Sequence, residues 1–437
     1  MKDQDISPSG RRAITAGIIG NVLEWYDFGV YGFFAAIIAA QYFPSDNPSA
    51  SLIAAFGAFA AGFLMRPLGG AFFGYIGDRV GRIRALQLSV FFMAAPTFLI
   101  GFLPTYESIG YSAAVLMVAL RMMQGLAVGG EYTSSIVFLA ENAPPGKRAY
   151  YSAWSMFGAV GGILLGSGVG ALLSATLDTE ALQSWGWRLA FIAGIAVSIS
   201  GYFIRRGLVE QPVLQTGKTP ITEAFRDYGK DILRVVGLNL VNAVTFYLIF
   251  VYSITWLIKT VGESRSAALE INTAAMLLML VLLPVFAKVS DAWGRRPTIL
   301  IGMGGIAIFA YPLVWLMHHA DTMMIMLGQM GFAVLVACFA STVPAYMTEL
   351  FPAKVRVTAV SISYNLSLAI MGGTSPMVAV WLIERTHDDL AFAWYIAAAA
   401  SISFLVALTI KDRSGEPLDQ TPEVVIREVS QGQAVLQ

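Results

Sequence analysis

The chain has 437 residues, of which 57% are hydrophobic and 13% charged, whereas a soluble domain usually carries about 25% charged residues. The numbers of acidic and basic residues are equal, so nothing indicates a nucleic-acid partner, and the single cysteine, Cys338, excludes an intrachain disulfide framework and a cysteine-rich metal site. Apolar runs of about 20 residues recur along the chain, each long enough to cross a bilayer as a helix. The composition therefore indicates a polytopic membrane protein.

We predict an all-α fold of about twelve transmembrane helices in two pseudo-symmetric six-helix bundles. The spans are centred near residues 28, 63, 95, 126, 163, 196, 246, 278, 307, 335, 370 and 401. A long polar stretch follows the sixth span, where a six-plus-six protein joins its halves. The predicted divisions are a cytoplasmic N-terminus at 1–12, a first bundle at 13–205, a cytoplasmic linker at 206–231, a second bundle at 232–411 and a cytoplasmic tail at 412–437.

The distribution of lysine and arginine predicts the orientation in the membrane. If the N-terminus is cytoplasmic, 22 of the 28 basic residues lie in inner segments, four lie in outer segments and two lie inside spans. Cytoplasmic loops of membrane proteins carry such an excess of basic residues. We therefore expect a multi-pass protein of the inner (plasma) membrane with both termini in the cytoplasm.

The first predicted span, GNVLEWYDFGVYGFF at 20–34, contains two acids, Glu24 and Asp27. Asn21, Glu24, Asp27 and Tyr31 share one helix face. That face cannot lie against lipid, because a charge at the bilayer centre costs at least about 3 kcal/mol. The second span places Arg66 at a similar depth, so an ion pair with Glu24 or Asp27 is expected.

This pair has two interpretations. It is either a permanent salt bridge that locks two helices, or a site at which a carboxylate takes up a proton. Burial disfavours the charged form of a carboxylate and arginine favours it. A substrate carboxylate that competes for Arg66 would leave the acid able to accept a proton.

The loop after the second span reads GYIGDRVGRIR (74–84), and a weaker copy, AKVSDAWGRRP (287–297), follows the eighth span. The residues of the repeated motif are Gly74, Asp78, Arg79, Gly81 and Arg82 in the first copy and Asp291, Gly294 and Arg295 in the second. A carboxylate at this position can cap the N-terminus of a neighbouring helix. Two similar halves are a repeat plan of secondary transporters.

The fourth span carries a second polar set, Arg121, Gln124 and Glu131. Glu131 lies about 15 Å further toward the cytoplasm than Arg121, so the two cannot pair within the helix. Arg121 is either a functional residue or a packing anchor beside Gly125, Gly129 and Gly130. In the fifth span, glycines at every fourth residue from 158 to 170 predict close helix packing.

The second half has few embedded charges, and its candidate substrate residues are neutral. They are Asn239, Asn242, Tyr364 and Asn365. Polar side chains in membrane helices also hold helices together, which is the alternative role for them.

Several of these stretches resemble a known family. The GxxxDRxGR run at 74–82 and the Arg-x-x-Gln-Gly of RMMQG (121–125) resemble signatures of the major facilitator superfamily. Within it, GNVLEWYDFGVYGFF, FLMRPLGGAFFGYIGDRVGR (63–82) and RMMQGLAVGGEY (121–132) resemble the metabolite:proton symporters, whose relatives include proline/betaine, α-ketoglutarate, citrate and shikimate transporters. The resemblance implies the superfamily's fold, a latch role for the loop motif and a coupling role for Arg121.

We therefore expect a proton-driven symporter for a small carboxylate-bearing metabolite, either an organic acid with one negative charge or a zwitterion such as betaine or proline. The embedded charges sum to −1, which is unfavourable for a tricarboxylate. The aromatic side chains of the first span either hold a quaternary ammonium group or simply pack. The alternatives are a proton-coupled exporter and a non-transporting receptor on a transporter scaffold. No HExxH or GxSxG motif is present, so an enzyme is not expected.

The expected proton-coupling residues are Glu24, Asp27, Arg121 and Glu131. The expected substrate-binding residues are Arg66, Tyr31, Gln124, Asn239, Asn242, Tyr364 and Asn365. We expect no metal, no cofactor besides the proton as coupling ion, and no nucleic-acid partner. The expected partners are a small-molecule substrate and the lipid bilayer, and we expect the protein to be a monomer.

Overall fold

A computed structural model describes residues 8–80, 82–195 and 220–418, and within these ranges every regular element is a helix. The first half contains α1 (Pro8–Phe33), α2 (Ala35–Tyr42), α3 (Pro48–Val80), α4 (Arg82–Phe102), α5 (Tyr106–Ile109), α6 (Tyr111–Val128), α7 (Glu131–Glu141), α8 (Arg148–Thr176) and α9 (Thr179–Ala181). A π-helical turn, Leu182–Gly186, and helical residues 187–195 follow α9.

The second half contains α10 (Pro220–Tyr247), α11 (Ser253–Trp256), α12 (Arg265–Trp293), α13 (Arg295–Met317), α14 (Thr322–Ala340), α15 (Val343–Leu350), α16 (Arg356–Ser367), α17 (Ser375–Thr386) and α18 (Ala391–Leu408). Three π-helical turns, Leu248–Tyr252, Leu257–Val261 and Leu368–Gly372, interrupt these helices. The helix α10 begins inside the segment predicted as a linker, and residues 206–219 of that segment lie outside the described residues.

In the described ranges, nine helices are long and apolar enough to cross a membrane, and the shorter Phe91–Phe102 is also apolar. Among the other predicted spans, the one near residue 28 corresponds to α1 and α2, which break at Phe34, and the one near 196 leaves the described residues after 195. The predicted class, an all-α polytopic membrane protein, is confirmed.

Glycines set the distances between the helices that carry the candidate site. A Cβ atom at Gly125 would lie 1.8 Å from the Gly62 carbonyl oxygen, and one at Gly129 would lie 2.2 Å from the Arg66 carbonyl oxygen. Only glycine permits this approach of α3 and α6. The packing brings Arg66 on α3 and Arg121 on α6 into one region.

The glycine repeat of α8 packs mainly against α1. A Cβ at Gly158 would lie 2.7 Å from the Ile18 carbonyl oxygen, and one at Gly162 would lie 2.4 Å from that of Val22. Gly170, at the end of the repeat, faces Leu269 of the second half instead. The packing predicted for this repeat is therefore observed, and it holds α1 with its two acids in the bundle interior.

Candidate substrate and proton sites

The polar face of α1 is buried. Asn21, Glu24, Asp27 and Tyr31 are each at most 4% exposed. Asn21 donates to Ser135 Oγ at 3.0 Å, and the Tyr31 hydroxyl donates to the Ala55 carbonyl at 2.9 Å. These two residues therefore position α1 in its bundle.

Asp27 belongs to a hydrogen-bond network that spans three helices. The Thr97 hydroxyl on α4 donates to Asp27 Oδ2. Gln124 Nε2 on α6 donates to Thr97 Oγ1 at 2.7 Å, and Arg121 Nη1 donates to Gln124 Oε1 at 2.7 Å. Asp27 is thus linked to Arg121 through two neutral side chains, and the Arg121 charge also acts on it through space.

Glu24 is the nearer acid to Arg66. Arg66 Nη2 lies 3.9 Å from Glu24 Oε1, a loose ion pair between two buried side chains. The sequence left open whether Arg66 faces Glu24 or Asp27, and the structure pairs it with Glu24. Arg66 Nε and Nη2 are buried and have no hydrogen-bond partner among the described residues.

Aromatic rings surround both guanidinium groups. Arg66 Cζ lies 5.1, 4.7 and 4.5 Å from the ring centres of Trp25, Phe28 and Phe63. Arg121 Cζ lies 4.7 Å from the same Phe28 ring and 4.4 Å from that of Tyr31. Cation–π contacts partly compensate a buried guanidinium for its lost water, so each arginine remains in the bundle with few hydrogen bonds.

A small cavity of about 10 Å³ lies where the two halves meet, with room for about one water molecule. The first half lines it with Trp25, Met156 and Ala159, and the second half with Asn242, Phe246, Tyr247, Tyr364 and Leu368. Three polar atoms on these walls are buried without a hydrogen-bond partner in the described part of the chain: Trp25 Nε1, Asn242 Oδ1 and the Tyr247 hydroxyl. Buried polar atoms are normally paired, so these three can bond to a molecule held in the cavity.

The predicted substrate residues of the second half separate into two groups. Asn242 and Tyr364 line the cavity, and the Tyr364 ring lies 4.8 Å from that of Tyr132. Asn239 donates to the Val235 carbonyl at 2.9 Å, and Asn365 donates to the Gly129 carbonyl of the first half. Asn239 and Asn365 thus bond to backbone, whereas Asn242 and Tyr364 face the open space.

Gln124 and Tyr31, also predicted as substrate residues, lie beside Arg121. Glu131 is half-buried in the first turn of α7, where a carboxylate interacts favourably with the helix dipole.

The second copy of the repeated loop motif caps a helix of the first half. Asp291 Oδ1 and Oδ2 accept from the backbone N–H groups of Ala149 and Tyr150 at the start of α8, both at 2.9 Å. Arg295 Nη1 donates to Asp291 Oδ1 at 2.8 Å. Gly294 has a φ of 101°, which favours glycine and allows the chain to turn between α12 and α13.

Further ion pairs extend this contact between the halves. Glu349 on α15 accepts from Arg295 Nη2 at 2.9 Å and from Arg148 Nη1 at 3.4 Å. Arg356 donates to Glu141 of the first half. The halves are therefore closed against each other at this end of the molecule.

The first copy of the motif is only partly described. Gly81 lies outside the described residues. Of Gly74, Asp78, Arg79 and Arg82 the structure describes only the helical backbone.

The opposite end of the molecule is also closed. Arg265, at the other end of α12 from Asp291, donates to the carbonyl of Phe33, the last residue of α1, at 3.1 Å. A Cβ atom at Gly32 would lie 2.0 Å from Val251 Cγ1 in a π-helical turn of the second half. Contacts between the halves are therefore present at both ends of the described part of the molecule.

Two functional candidates were missed from the sequence. Thr97 follows Pro96 in an apolar run and is fully buried in the structure. Its isolated hydroxyl within that run was the one feature of the sequence that could have identified it. Tyr247 lies in the apolar span centred near residue 246, and its place on the cavity wall depends on how the two halves pack.

Known proteins match this chain over nearly its whole length. A family model described as "Sugar (and other) transporter" matches residues 13–224, and one described as "Major Facilitator Superfamily" matches residues 235–433. The proline/betaine transporter of Escherichia coli (strain K12) is 34% identical over 436 residues, covering 96% of this chain and 87% of that protein. The glycine betaine/proline/ectoine/pipecolic acid transporter OusA of Dickeya dadantii (strain 3937) is 35% identical, covering 93% and 84%.

Solved structures show the same fold. The proton:xylose symporter XylE, bound to 6-bromo-6-deoxy-D-glucose, matches with a TM-score of 0.75 at 18% identity, over 93% of this chain and 97% of that one. XylE from E. coli in a partially occluded inward open conformation matches with a TM-score of 0.70 at 18% identity, over 93% and 99%. At this identity the likeness concerns the fold alone.

The relatives are transporters, and the apolar helices identify the chain as a multi-pass protein of the lipid bilayer. It is therefore a membrane transporter for a small molecule and not an enzyme. The chain belongs to the major facilitator superfamily and, within it, to the metabolite:proton symporter family.

Proposed function

We propose that the protein is a proton-coupled symporter that takes up a small carboxylate-bearing metabolite, most favourably a zwitterion, by alternating access. The observation that carries this proposal is the convergence of buried polar atoms without hydrogen-bond partners on the region between the halves. Trp25 Nε1, Asn242 Oδ1 and the Tyr247 hydroxyl line the cavity, and Arg66, which lies over the Trp25 ring, has Nε and Nη2 groups without a hydrogen-bond partner in the described part of the chain.

The chemistry of this region matches a molecule with one anionic and one cationic end. The Arg66 fork would receive the carboxylate, because guanidinium and carboxylate pair in a bidentate geometry. The Trp25 and Tyr364 rings and the Glu24 carboxylate would receive an ammonium group, as aromatic faces attract quaternary cations. The names of the relatives, which include proline and glycine betaine, agree with such a substrate.

The coupling proton has a separate place in this proposal. Asp27 lies in the network of Thr97, Gln124 and Arg121, whereas Glu24 lies beside Arg66. Proton and substrate would therefore occupy different acids, Asp27 and Glu24, on adjacent turns of α1. Because both lie on one helix, a displacement of α1 would act on both sites.

The direction of uptake follows from the proposed orientation. The closed end that contains Asp291 and Arg295 is placed in the cytoplasm of an inner-membrane protein, because the inner loops carry most of the basic residues. Opening of the Arg265 end would then admit substrate and proton from outside. We expect the protein to work as a monomer.

The test is a current measurement on proteoliposomes adsorbed to a solid-supported membrane, with glycine betaine, proline, a dicarboxylate and an aromatic monoacid applied in turn at two pH values. A zwitterion carried with a proton moves positive charge inward, so a current that grows at acidic outside pH is expected for betaine or proline. A mono-anion carried with one proton moves no net charge, so a pH-sensitive dye inside the vesicles follows that case. Substrate accumulation that is indifferent to the pH gradient would contradict proton symport.

A further inference from the structure

Thr97 is the only link by hydrogen bonds between Asp27 and Gln124 among the described residues, and the direction of each bond in its network can be deduced. Arginine can only donate hydrogen bonds, so the oxygen of the Gln124 amide must face Arg121. The nitrogen of that amide then faces Thr97 and donates to its hydroxyl oxygen at 2.7 Å. Thr97 is therefore an acceptor toward Gln124, and its own proton is directed elsewhere.

The Thr97 hydroxyl has one proton and two acceptors within reach. One acceptor is Asp27 Oδ2, and the other is the Met93 carbonyl oxygen on the preceding turn of α4, at 2.8 Å. A hydroxyl can donate only once at a time but can accept twice. Thr97 can thus donate to Asp27 or to Met93, but not to both.

We propose that Thr97 is the positioning residue of the proton site, with a hydroxyl that turns when Asp27 gains or loses its proton. This inference rests on the proposed function, in which Asp27 takes up the coupling proton. When Asp27 is charged, Thr97 donates to its carboxylate. When Asp27 is protonated, its O–H donates to Thr97 Oγ1, and the Thr97 proton turns to the Met93 carbonyl.

The Thr97 hydroxyl has partners for its proton and its lone pairs in both states. With Asp27 charged, the Thr97 oxygen accepts one bond from Gln124 and donates one to Asp27. With Asp27 protonated, it accepts bonds from Gln124 and from Asp27 and donates one to Met93. Neither state leaves the hydroxyl, the carboxyl group or the amide of this network unpaired, and an unpaired buried polar group is costly. Gln124 and Arg121 keep their orientations throughout.

The other polar groups near Asp27 are engaged elsewhere, which leaves Thr97 as the group that responds to its protonation. The charged group that acts on Asp27 from a neighbouring helix is Arg121 on α6, and on α1 itself Tyr26 is the adjacent titratable group. The Tyr26 hydroxyl donates to the Ala190 carbonyl at 2.8 Å. The helix of residues 187–195 approaches Asp27 with Gly194, and its Arg188 donates instead to the carbonyls of Gly101 and Leu103.

The test compares Thr97→Val, which keeps the shape and removes the hydroxyl, with Thr97→Ser, which restores it. Uptake into proteoliposomes is measured against pH for both, and Thr97→Ala replaces valine if that variant does not fold. In Thr97→Val the charged carboxylate loses a charge-assisted hydrogen bond and the protonated form loses only a weaker neutral one. The pH at which uptake falls by half should therefore rise by about one unit. Thr97→Ser should return it to the wild-type value.

Thr298→Val is the matched control. Thr298 is also buried, and its hydroxyl donates to a carbonyl one turn back, Gly294, at 3.2 Å, whereas in the described part of the chain it makes no hydrogen bond to a carboxylate. Its removal should leave the pH midpoint unchanged. An equal shift in Thr298→Val and Thr97→Val would overturn the inference, because a general loss of packing would then explain both.

Infrared difference spectra after a pH change give a readout that does not depend on transport. The band of the protonated Asp27 carboxyl is identified by its absence in Asp27→Asn, and it should move to higher frequency in Thr97→Val, where the carboxyl loses its acceptor. Suppose that Asp27→Asn has lost uphill uptake. An unmoved band and a wild-type pH midpoint in Thr97→Val would then refute the role of Thr97 and leave the proposed function standing. Uphill uptake retained in Asp27→Asn would instead refute the proposed function and this inference with it.

Discussion

At the scale of single residues, the first half holds two arginines and two acids that the structure sorts into separate groups. Arg121 is linked to Asp27 through Gln124 and Thr97, and Arg66 lies beside Glu24. The Phe28 ring contacts both guanidinium groups. Arg121 is therefore joined to its acid through hydrogen bonds, whereas Arg66 lies beside its acid in a loose ion pair, and Nε and Nη2 of each arginine have no hydrogen-bond partner among the described residues.

Asp27→Asn should abolish uphill accumulation while leaving exchange of substrate across the membrane. Asparagine has nearly the shape of the carboxyl group but cannot take up the coupling proton. Uptake driven by a pH gradient and counterflow at equal pH are measured in the same vesicles. Glu107→Gln, an exposed acid between α4 and α6, is the control and should behave like wild type. Normal accumulation in Asp27→Asn would remove Asp27 from the coupling mechanism.

Arg66→Lys should weaken apparent substrate affinity by about tenfold or more. Lysine keeps the positive charge but loses the planar fork that pairs with a carboxylate, and a charge-assisted hydrogen bond contributes about 1.5–3 kcal/mol. The concentration for half-maximal uptake is the measurement. The same change at Arg188, which donates to backbone carbonyls away from the cavity, is the comparison. Equal affinities of Arg66→Lys and wild type would exclude Arg66 as the carboxylate ligand.

At the scale of elements, breaks in the helices lie close to the cavity and to the contacts between the halves. α1 ends at Phe33 next to the Val251 contact, and the π-helical turn Leu248–Tyr252 follows directly after the cavity residue Tyr247. π-helical turns are frequent at functional sites because they interrupt regular hydrogen bonding. These segments are where the helices would bend as the cavity opens.

Gly32→Ala should favour the form that is open at the Arg265 end. The added methyl group would lie 2.0 Å from Val251 Cγ1, so α1 and the π-helical turn could not approach as closely. Distances between spin labels on α2 and α17 should lengthen in this variant. Adding Val251→Ala should restore closure, and Gly168→Ala, with open space around its Cβ position, should have no effect. Unchanged distances in Gly32→Ala would mean that this contact does not limit closure.

At the scale of the whole molecule, one contact at each end joins a charged side chain of the second half to backbone groups of the first. Asp291 binds the N-terminal amides of α8, and Arg265 binds the C-terminal carbonyl of α1. Each charge is placed at the helix end whose dipole attracts it. The same interaction, a charged side chain with a helix dipole, thus acts at both ends, with a negative charge at one end and a positive charge at the other.

Asp291→Asn should favour the form that is open at the Arg295 end. The amide keeps one acceptor oxygen but loses the charge that binds the start of α8, an interaction that typically contributes about 0.3–2 kcal/mol. The equilibrium should therefore move by a factor of about 2 to 30. The rate at which a cysteine introduced at Ala149 reacts with a water-soluble maleimide measures this, since Cys338 is buried. An unchanged rate would remove Asp291 from the closure.

The sequence predicted the class of fold, the buried acids and the repeated loop, because each leaves a local pattern that periodicity or spacing detects. It could not pair Arg66 with Glu24 in preference to Asp27. The two acids are three positions apart on one helix face, so an arginine side chain at that depth can reach either of them. Thr97 and Tyr247 were missed for a related reason. A threonine or tyrosine in an apolar helix has no distinguishing neighbours in sequence, and its role depends on which helix packs beside it.

In these contacts one half contributes side chains and the other contributes main-chain groups, and this has a genetic consequence. The first half contributes main-chain groups there, the amides of Ala149 and Tyr150 and the carbonyl of Phe33, and a change of side chain does not delete a main-chain group. Missense alleles that remove these contacts directly should therefore fall in the second half, at codons 265 and 291. Alleles in the first half would have to act on these contacts through steric bulk, as at Gly32, or remove the separate ion pairs of Glu141 and Arg148, and only the steric alleles could be suppressed by a smaller partner residue.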